Sequence, residues 1–225
     1  VRLDGQLADD ASLCAAFAAI DDLRGDISLT YFEFGTLAAL WLFKRAELDA
    51  VVLEVGLGGR LDAVNVVDAD VAVVTSIGID HQEYLGNTRA SVATEKAGIL
   101  RSGRPVVSGE RDLPDTFVQA VERLGCQLVQ RDRDFAVQMQ PDGQWTLNGE
   151  GGLGAARSLL LPPVRLPRDN LAVAVQAFWA AGLDLPDAAL GEALAAASAA
   201  GRLESREIDW QGQRRSLLLD VGHNP

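Results

Sequence analysis

Apolar residues along the chain fall into two recurring patterns, one of helical spacing and one of short continuous runs. Val1–Gln6 reads as the tail of a strand or a loop. Leu13, Phe17 and Ile20 sit at helical spacing and predict an amphipathic helix over 10–23, broken by Arg24, Gly25 and Asp26. Thr30 followed three residues later by Glu33 is a capping-box pattern that opens the next helix. Leu37–Phe43 is apolar on every face, which predicts a largely buried helix. Ala50–Leu53 is a continuous valine-rich run, the pattern of a strand covered on both faces in a parallel sheet. It stops at Glu54, and Gly56, Gly58 and Gly59 follow, where the backbone can turn tightly and approach a ligand closely. Val71–Ile77 is a second run of this kind, closing in Gly78-Ile79-Asp80-His81. The link over 57–70 shows no crossover helix, so these two strands are expected to be antiparallel or not neighbours.

Further on, Asn87 or Thr88 caps a helix running to about Leu100. Arg104–Ser108 and Cys126–Gln130 read as strands around a helix over Leu113–Leu124. Phe135–Gln140 and Gln144–Leu147 flank the turn signal Pro141-Asp142-Gly143 and predict an antiparallel hairpin, with Ser158–Leu161 as a third strand. Asn148–Gly154 is glycine-rich but has no Gly-Lys-Ser or Gly-Lys-Thr helix start behind it, so it reads as a flexible loop. Asp169 is placed as the cap of a helix running to about Ala181, with Asn170 in its first turn. Ala188–Ala199 is alanine-rich and helical. A strand running to about Trp210, a turn at Gln211–Gln213 and a strand Ser216–Asp220 complete the chain. The pattern as a whole predicts an α/β fold: a mostly parallel sheet flanked by helices, with a small antiparallel sub-sheet.

The 225 residues suffice for one large domain or for one domain and part of another, and 48% hydrophobic with 23% charged is ordinary for a globular chain. Lys and Arg number 20 against 32 Asp and Glu, a net charge of −12, which argues against a general nucleic-acid surface. A few local arginines remain available for small anions. Two cysteines far apart imply neither a disulfide framework nor a cysteine zinc site. No signal peptide and no apolar run of membrane-spanning length is seen, so the cytoplasm is the expected compartment.

Several side chains carry both a plain reading and a chemical one. Glu54 closes an apolar strand, where open α/β sheets bind ligands, yet it is equally a solvated strand end. His81 closes the second strand in the same way, and a single histidine is more often structural. Lys96 reads as an exposed helix lysine, Arg60 with Asp62 as a solvated turn pair, Asn170 as part of a helix start, Arg202 as a surface charge and Asp220 as a solvated strand end. Thr30 and Glu33 are fully explained by capping.

The string EVGLGGRLDAVN (54–65) closely resembles the signature of the folylpolyglutamate synthase and dihydrofolate synthase family, ATP-dependent Mur-type amide ligases. LTYFEFGTLAALWLF, DADVAVVTSIGIDHQEYLG, EKAGILRSGRPVVSG, AGRLE and DVGHNP match in the expected order and span nearly the whole chain. The resemblance implies the P-loop-type central domain of Mur ligases. It implies that Thr30, Tyr31, Phe32 and Glu33, with Leu61, Asp62 and Ala63, line the pocket for a pterin or pteroate. It further implies that Glu54 and His81 are magnesium ligands, that His81 and a carbamylated Lys96 belong to the catalytic machinery, and that Asn170, Arg202 and Asp220 contact ATP. The planar fork of Arg suits phosphate, and a carbamate suits a hard cation that wants oxygen ligands. Gly222 stands where the family usually has alanine. The implied partners are dihydropteroate or folate, L-glutamate and ATP with Mg²⁺, on a monomer, with neither nucleic acid nor membrane.

The family's phosphate loop, Gly-x-x-x-x-Gly-Lys-Ser/Thr, occurs nowhere in this chain. The resemblance places it upstream of Val1 and most of a C-terminal domain downstream of Pro225. The chain is therefore expected to be an internal fragment, inactive alone, with a partial central domain over 1–203 and a linker and first strand of the next domain over 204–225. The intact protein is expected to be a ligase that joins L-glutamate to dihydropteroate or a folyl glutamate. Rival readings are another Mur-type ligase acting on a cell-wall precursor, a non-catalytic nucleotide-binding module and, more weakly, a hydrolytic metalloenzyme.

Overall fold

The computed structural model describes residues 1–151, 154–164 and 166–221. The chain divides into two compact units, Val1–Asp68 and Ala69–Pro225.

The first unit opens with a two-residue hairpin, β1 (Arg2–Leu3) against β2 (Gln6–Leu7), turning at Asp4-Gly5 with both residues at positive φ. That is the backbone a tight hairpin turn demands, and Asp-Gly supplies it at low cost. Two fifteen-residue helices follow, α1 (Asp10–Arg24), capped by Asp9, and α2 (Tyr31–Arg45), capped by Thr30. They pack through Ala16 and Ile20 of α1 and Ala38 and Leu42 of α2, with Phe17 tilted on Phe34 at 5.7 Å between ring centres. Only one stripe of α2 is buried, through Thr36, Ala38 and Leu42, and Leu37 is exposed, so the expectation of a largely buried helix is corrected. Residues 50–55 carry no ladder pairing, and Val52 is 92% exposed. The expected buried strand over 50–53 is thus not formed among the described residues. A strand is made by its ladder, and an apolar run without a paired neighbour stays irregular. The unit ends in a short 3₁₀ helix, η1 (Ala63–Val66), capped by Asp62.

The second unit is built on a parallel sheet in the order β3 (Ala72–Val74), β4 (Pro105–Ser108), β5 (Gln127–Gln130). α4 (Arg89–Ala97) connects the first pair and α5 (Asp115–Leu124) the second. The pleat of the central strand sorts its side chains to two cores. Val106 joins Val92, Ala93, Phe117 and Val121 on the α4/α5 side, whereas Val107 joins Leu171, Val175 and Trp179 on the other. That second face is covered by α6 (Arg168–Ala180) and an antiparallel sheet, β6 (Ala136–Met139), β7 (Trp145–Glu150), β8 (Ala156–Leu161). Helices on the sheet and antiparallel strands beside it make an α/β fold, in agreement with the sequence pattern.

Two local expectations are corrected. Asn148–Glu150 belong to β7 and not to a loop, paired with Ser158, Arg157 and Ala156; Gly152 and Leu153 of that stretch lie outside the described residues. Pro167, not Asp169, stands at the cap of α6, and Asp169 instead pairs with Arg131 at 2.9 Å. Proline suits a helix start because its missing N–H is one that the first turn cannot use. α7 (Asp187–Ala196) begins the same way after Pro186, and the hairpin β9 (Glu204–Trp210) with β10 (Gln213–Leu219) follows.

Candidate functional site

In the first unit, the tip of α2 and the glycine turn after Glu54 meet at Asp62. The Thr30 side chain accepts the Glu33 N–H at 3.2 Å, while Glu33 Oε2 accepts the Thr30 N–H at 2.7 Å and its hydroxyl at 2.8 Å. These bonds favour the carboxylate form and hold Glu33 below its ordinary pKa, the Thr30 backbone N–H being the largest cause. With capping done by Thr30 and Glu33, Tyr31 and Phe32 are left exposed at the helix tip. Asp62 Oδ2 accepts the N–H groups of Gly56 at 2.9 Å and Leu57 at 3.0 Å, and its Oδ1 that of Val64 at 3.0 Å. A Cβ on Gly56 would stand 2.9 Å from Phe32 Cζ and 3.3 Å from Asp62 Oδ2, so the absence of a side chain lets the ring lie on the turn. Two stretches singled out in the sequence, 30–33 and 61–63, are therefore joined through Gly56. Leu61 is exposed and Ala63 opens η1. Glu54, two residues before Gly56, is exposed.

In the second unit, His81 stands after β3 in the left-handed region, with φ 49 and ψ 46, as the N-cap residue of the single turn α3 (Gln82–Leu85). Its N–H donates to Asp80 Oδ1 at 2.7 Å and its Nε2 lies 3.8 Å from Asp80 Oδ2; its imidazole makes no capping bond and is 54% exposed. A non-glycine residue held at positive φ recurs at functional sites. The stretch leading to it is tied from outside: the Ile77 N–H donates to Glu110 Oε2 at 2.9 Å, and Arg89 Nε donates to the Ile77 carbonyl at 3.0 Å. Arg89 and Glu110 escaped the sequence reading because nothing local marks a contact with a residue 12 or 33 positions away. Lys96 lies in the last turn of α4, half-buried, and burial pulls its pKa below the ordinary value.

The nucleotide candidates divide. Arg202 Nη1 donates to the Val221 carbonyl at 2.6 Å, and the register of β9 on β10 pairs Leu219 with Glu204, so Arg202 and Asp220 stand at the same end of one hairpin. Asn170 stands apart in the first turn of α6, exposed, its N–H donating to the Pro167 carbonyl at 3.0 Å. Among the described residues no group of three or more His, Cys, Asp and Glu is assembled for a metal. Magnesium asks for less, since one or two side chains with phosphate oxygens and water complete its shell. Glu54 in the first unit offers an oxygen donor of that kind, and His81 in the second an accessible ring nitrogen.

The Mur ligase middle domain matches residues 16–130, and the chain belongs to that family. Over all 225 residues it is 45% identical to the dihydrofolate synthase/folylpolyglutamate synthase of Escherichia coli (strain K12), covering 100% of this chain and 51% of that protein. The structure described as E. coli FolC in complex with DHPP and ADP superposes with a TM-score of 0.89 at 43% identity, over 99% of this chain and 51% of that one. The bifunctional synthase of Yersinia pestis complexed with AMPPNP and Mn ion superposes with a TM-score of 0.87 at 46% identity, over 99% and 52%. The chain thus spans about half the length of the curated relatives it matches.

Proposed function

We propose that this chain is part of an ATP-dependent ligase that joins L-glutamate to dihydropteroate, to a folyl glutamate, or to both. The observation that carries the reading is the likeness, over 99% of this chain and 51% of the other, to a synthase bound to DHPP and ADP, together with the junction of Phe32, Gly56 and Asp62. An exposed aromatic ring beside a glycine turn offers a flat apolar face to a heterocycle. The substrate carboxylate attacks the γ-phosphorus of ATP, ADP leaves with the bonding pair, and an acyl phosphate forms. The glutamate amine then attacks the acyl carbon, phosphate departs, and the nitrogen gives up a proton.

In this reading Thr30–Glu33 and Leu61–Ala63 hold the pteroyl group. Glu54 and His81 hold Mg²⁺, which when bound neutralises charge on the transferring phosphate oxygens. The relative bound to AMPPNP and Mn ion supports a divalent ion. Lys96 serves as its carbamate beside that ion; burial that favours the neutral amine supports this, because only the neutral amine attacks CO₂. Arg202 and Asp220, together at the hairpin end, contact ATP with Asn170. We place the stretch 204–225, which carries the β9–β10 hairpin over Glu204–Leu219, as a linker and first strand of a further domain. We place the protein in the cytoplasm as a monomer; no described helix is long and apolar enough to cross a membrane.

The test is phosphate release by the protein as its gene encodes it, with ATP and L-glutamate both present and dihydropteroate compared with tetrahydrofolate. Release with at least one acceptor is expected, and its loss in Glu54→Ala. Release with neither acceptor, or an undiminished Glu54→Ala, rejects the reading.

A further inference from the structure

We infer that Arg89 and Glu110 are positioning residues for His81, acting by holding both backbone polar groups of Ile77, a proposal that rests on the reading of His81 as a metal ligand. β3 ends at Val74, so the chain from Thr75 onward has left the ladder, and its backbone groups need other partners. Ile77 is 1% exposed, its side chain packed with Val92 and Phe117. Its N–H goes to Glu110 Oε2 and its carbonyl receives Arg89 Nε. A side chain from α4 and one from the loop after β4 thus fix one residue at each of its polar groups.

Both holders are themselves fixed. Arg89, at the first position of α4, donates Nη1 to Asp112 Oδ2 at 2.8 Å and Nη2 to the Asp112 carbonyl at 2.5 Å, and Nη2 lies 3.5 Å from Glu110 Oε2. The Glu110 N–H donates to Ser108 Oγ at 3.1 Å, within fully buried Ser108, and its carbonyl receives Gln130 Nε2 at 3.2 Å. One cation between two carboxylates leaves the cluster with one net negative charge. At the far side of the loop, the His81 carbonyl accepts the N–H groups of Tyr84 at 2.9 Å and Leu85 at 3.0 Å. Three residues, Gly78-Ile79-Asp80, separate the two fixed points. A stretch that short passes a displacement of Ile77 on to His81. The planar fork is needed because a lysine ammonium is a point charge and cannot span the Ile77 carbonyl and Asp112 together.

The experiment uses the protein as its gene encodes it, with Arg89→Ala, Arg89→Lys and Glu110→Gln. Free Mn²⁺ is followed by its electron paramagnetic resonance in the presence of a non-hydrolysable ATP analogue, and amide exchange is read over residues 76–85. Arg89→Ala is expected to weaken Mn²⁺ binding about 10–100-fold, the range for groups that orient a metal ligand. It should also quicken exchange in that segment alone, with Arg89→Lys restoring part of the affinity. Affinity for the analogue without metal should stay at the wild-type value. Should Arg89→Ala fail to fold, Glu110→Gln, which keeps the shape and one acceptor oxygen, is expected to weaken Mn²⁺ severalfold. Variants with wild-type Mn²⁺ affinity overturn the proposal alone. A wild type that takes up no Mn²⁺ with nucleotide overturns the metal role of His81 and the proposal with it.

Discussion

Asp62 holds Gly56: its Oδ2 accepts the Gly56 N–H at 2.9 Å while the same carboxylate accepts those of Leu57 and Val64. One acidic side chain thereby ties the glycine turn to η1 and sets the floor on which Phe32 rests. Asp62→Ala leaves three N–H groups without their acceptor, and a loss of about 2 kcal/mol or more is expected in urea unfolding. Asp62→Asn, which keeps one acceptor oxygen, should lie between. A change no larger than about 0.5 kcal/mol, the range of ordinary surface substitutions, would show the bonds to be inconsequential.

Gly56→Ala separates site from stability. The new methyl would press on Phe32 Cζ, the far end of a half-exposed ring that has room to swing away. Thermal stability should hardly change, whereas KM for the pteroyl substrate should rise severalfold with kcat nearly kept, since the ring would leave its place on the turn. An unchanged KM would remove Phe32 from the pocket.

Glu33 gives the α2 start a pH signature. Its folded pKa is lowered from 4.5, first by the Thr30 backbone N–H and then by the Thr30 hydroxyl. The carboxylate form is the one bonded, so its contribution is present above the unfolded value and is lost as pH falls through the lower folded value. Below pH 4.5 the melting temperature of wild type should therefore fall more steeply than that of Glu33→Gln. Parallel curves would deny the carboxylate its part in the cap.

Local chemistry made much of this fold legible. Thr30 with Glu33, Asp-Gly at 142–143 and the valines of β4 each announce an element through neighbours in sequence. Pairing information was less accessible. The run at 50–53 has the composition of a buried strand, but composition names no ladder partner, and none is present among the described residues. Thr88 outranked Asn87 as a cap because Ser91 answers it, whereas Asp169 was drawn from the cap of α6 by Arg131, a residue 38 positions earlier that no local pattern reveals. Of the site, Phe32, Asp62 and His81 were visible as motif residues. The ties that place them, Gly56 to Asp62 and Ile77 to Arg89 and Glu110, depend on the folded backbone.

Gly149 is a second glycine set by close approach. Gln176, 1% exposed, donates Nε2 to the Glu150 carbonyl at 2.6 Å and accepts the Glu150 N–H at 3.1 Å, serving β7 as a strand neighbour would. A Cβ on Gly149 would run into that amide and lie 3.2 Å from both Phe135 Cβ and the Trp179 ring. Gly149→Ala should cost about 1–3 kcal/mol by overpacking. Gln176→Leu should cost more, about 2–6 kcal/mol, by leaving two backbone groups unpaired at about 1–3 kcal/mol each when buried. The double variant should lose less than the sum, because both changes sever the same pair of bonds. Strict additivity in chemical unfolding would mean the two residues do not act through Glu150.

Lys96 supplies the sharpest pH test. Burial in the last turn of α4 lowers its folded pKa from 10.5, so the folded state binds fewer protons than the unfolded state between the two values. Stability must then rise with pH across that window, the reverse of the behaviour of a lysine that gains an acidic partner. In CO₂-free buffer, the melting temperature of wild type should rise relative to that of Lys96→Met as pH climbs toward 10.5, the ordinary lysine value. With bicarbonate present, the neutral amine adds CO₂, a nitrogen–carbon bond forms, a proton leaves, and the half-buried cation becomes an anion. Intact-mass measurement near neutral pH should then find one added CO₂ that acid removes, and Lys96→Arg should lack both the addition and ligase activity. A wild type without the added mass whose stability still climbs with pH would leave Lys96 a buried amine and remove the carbamate from the site.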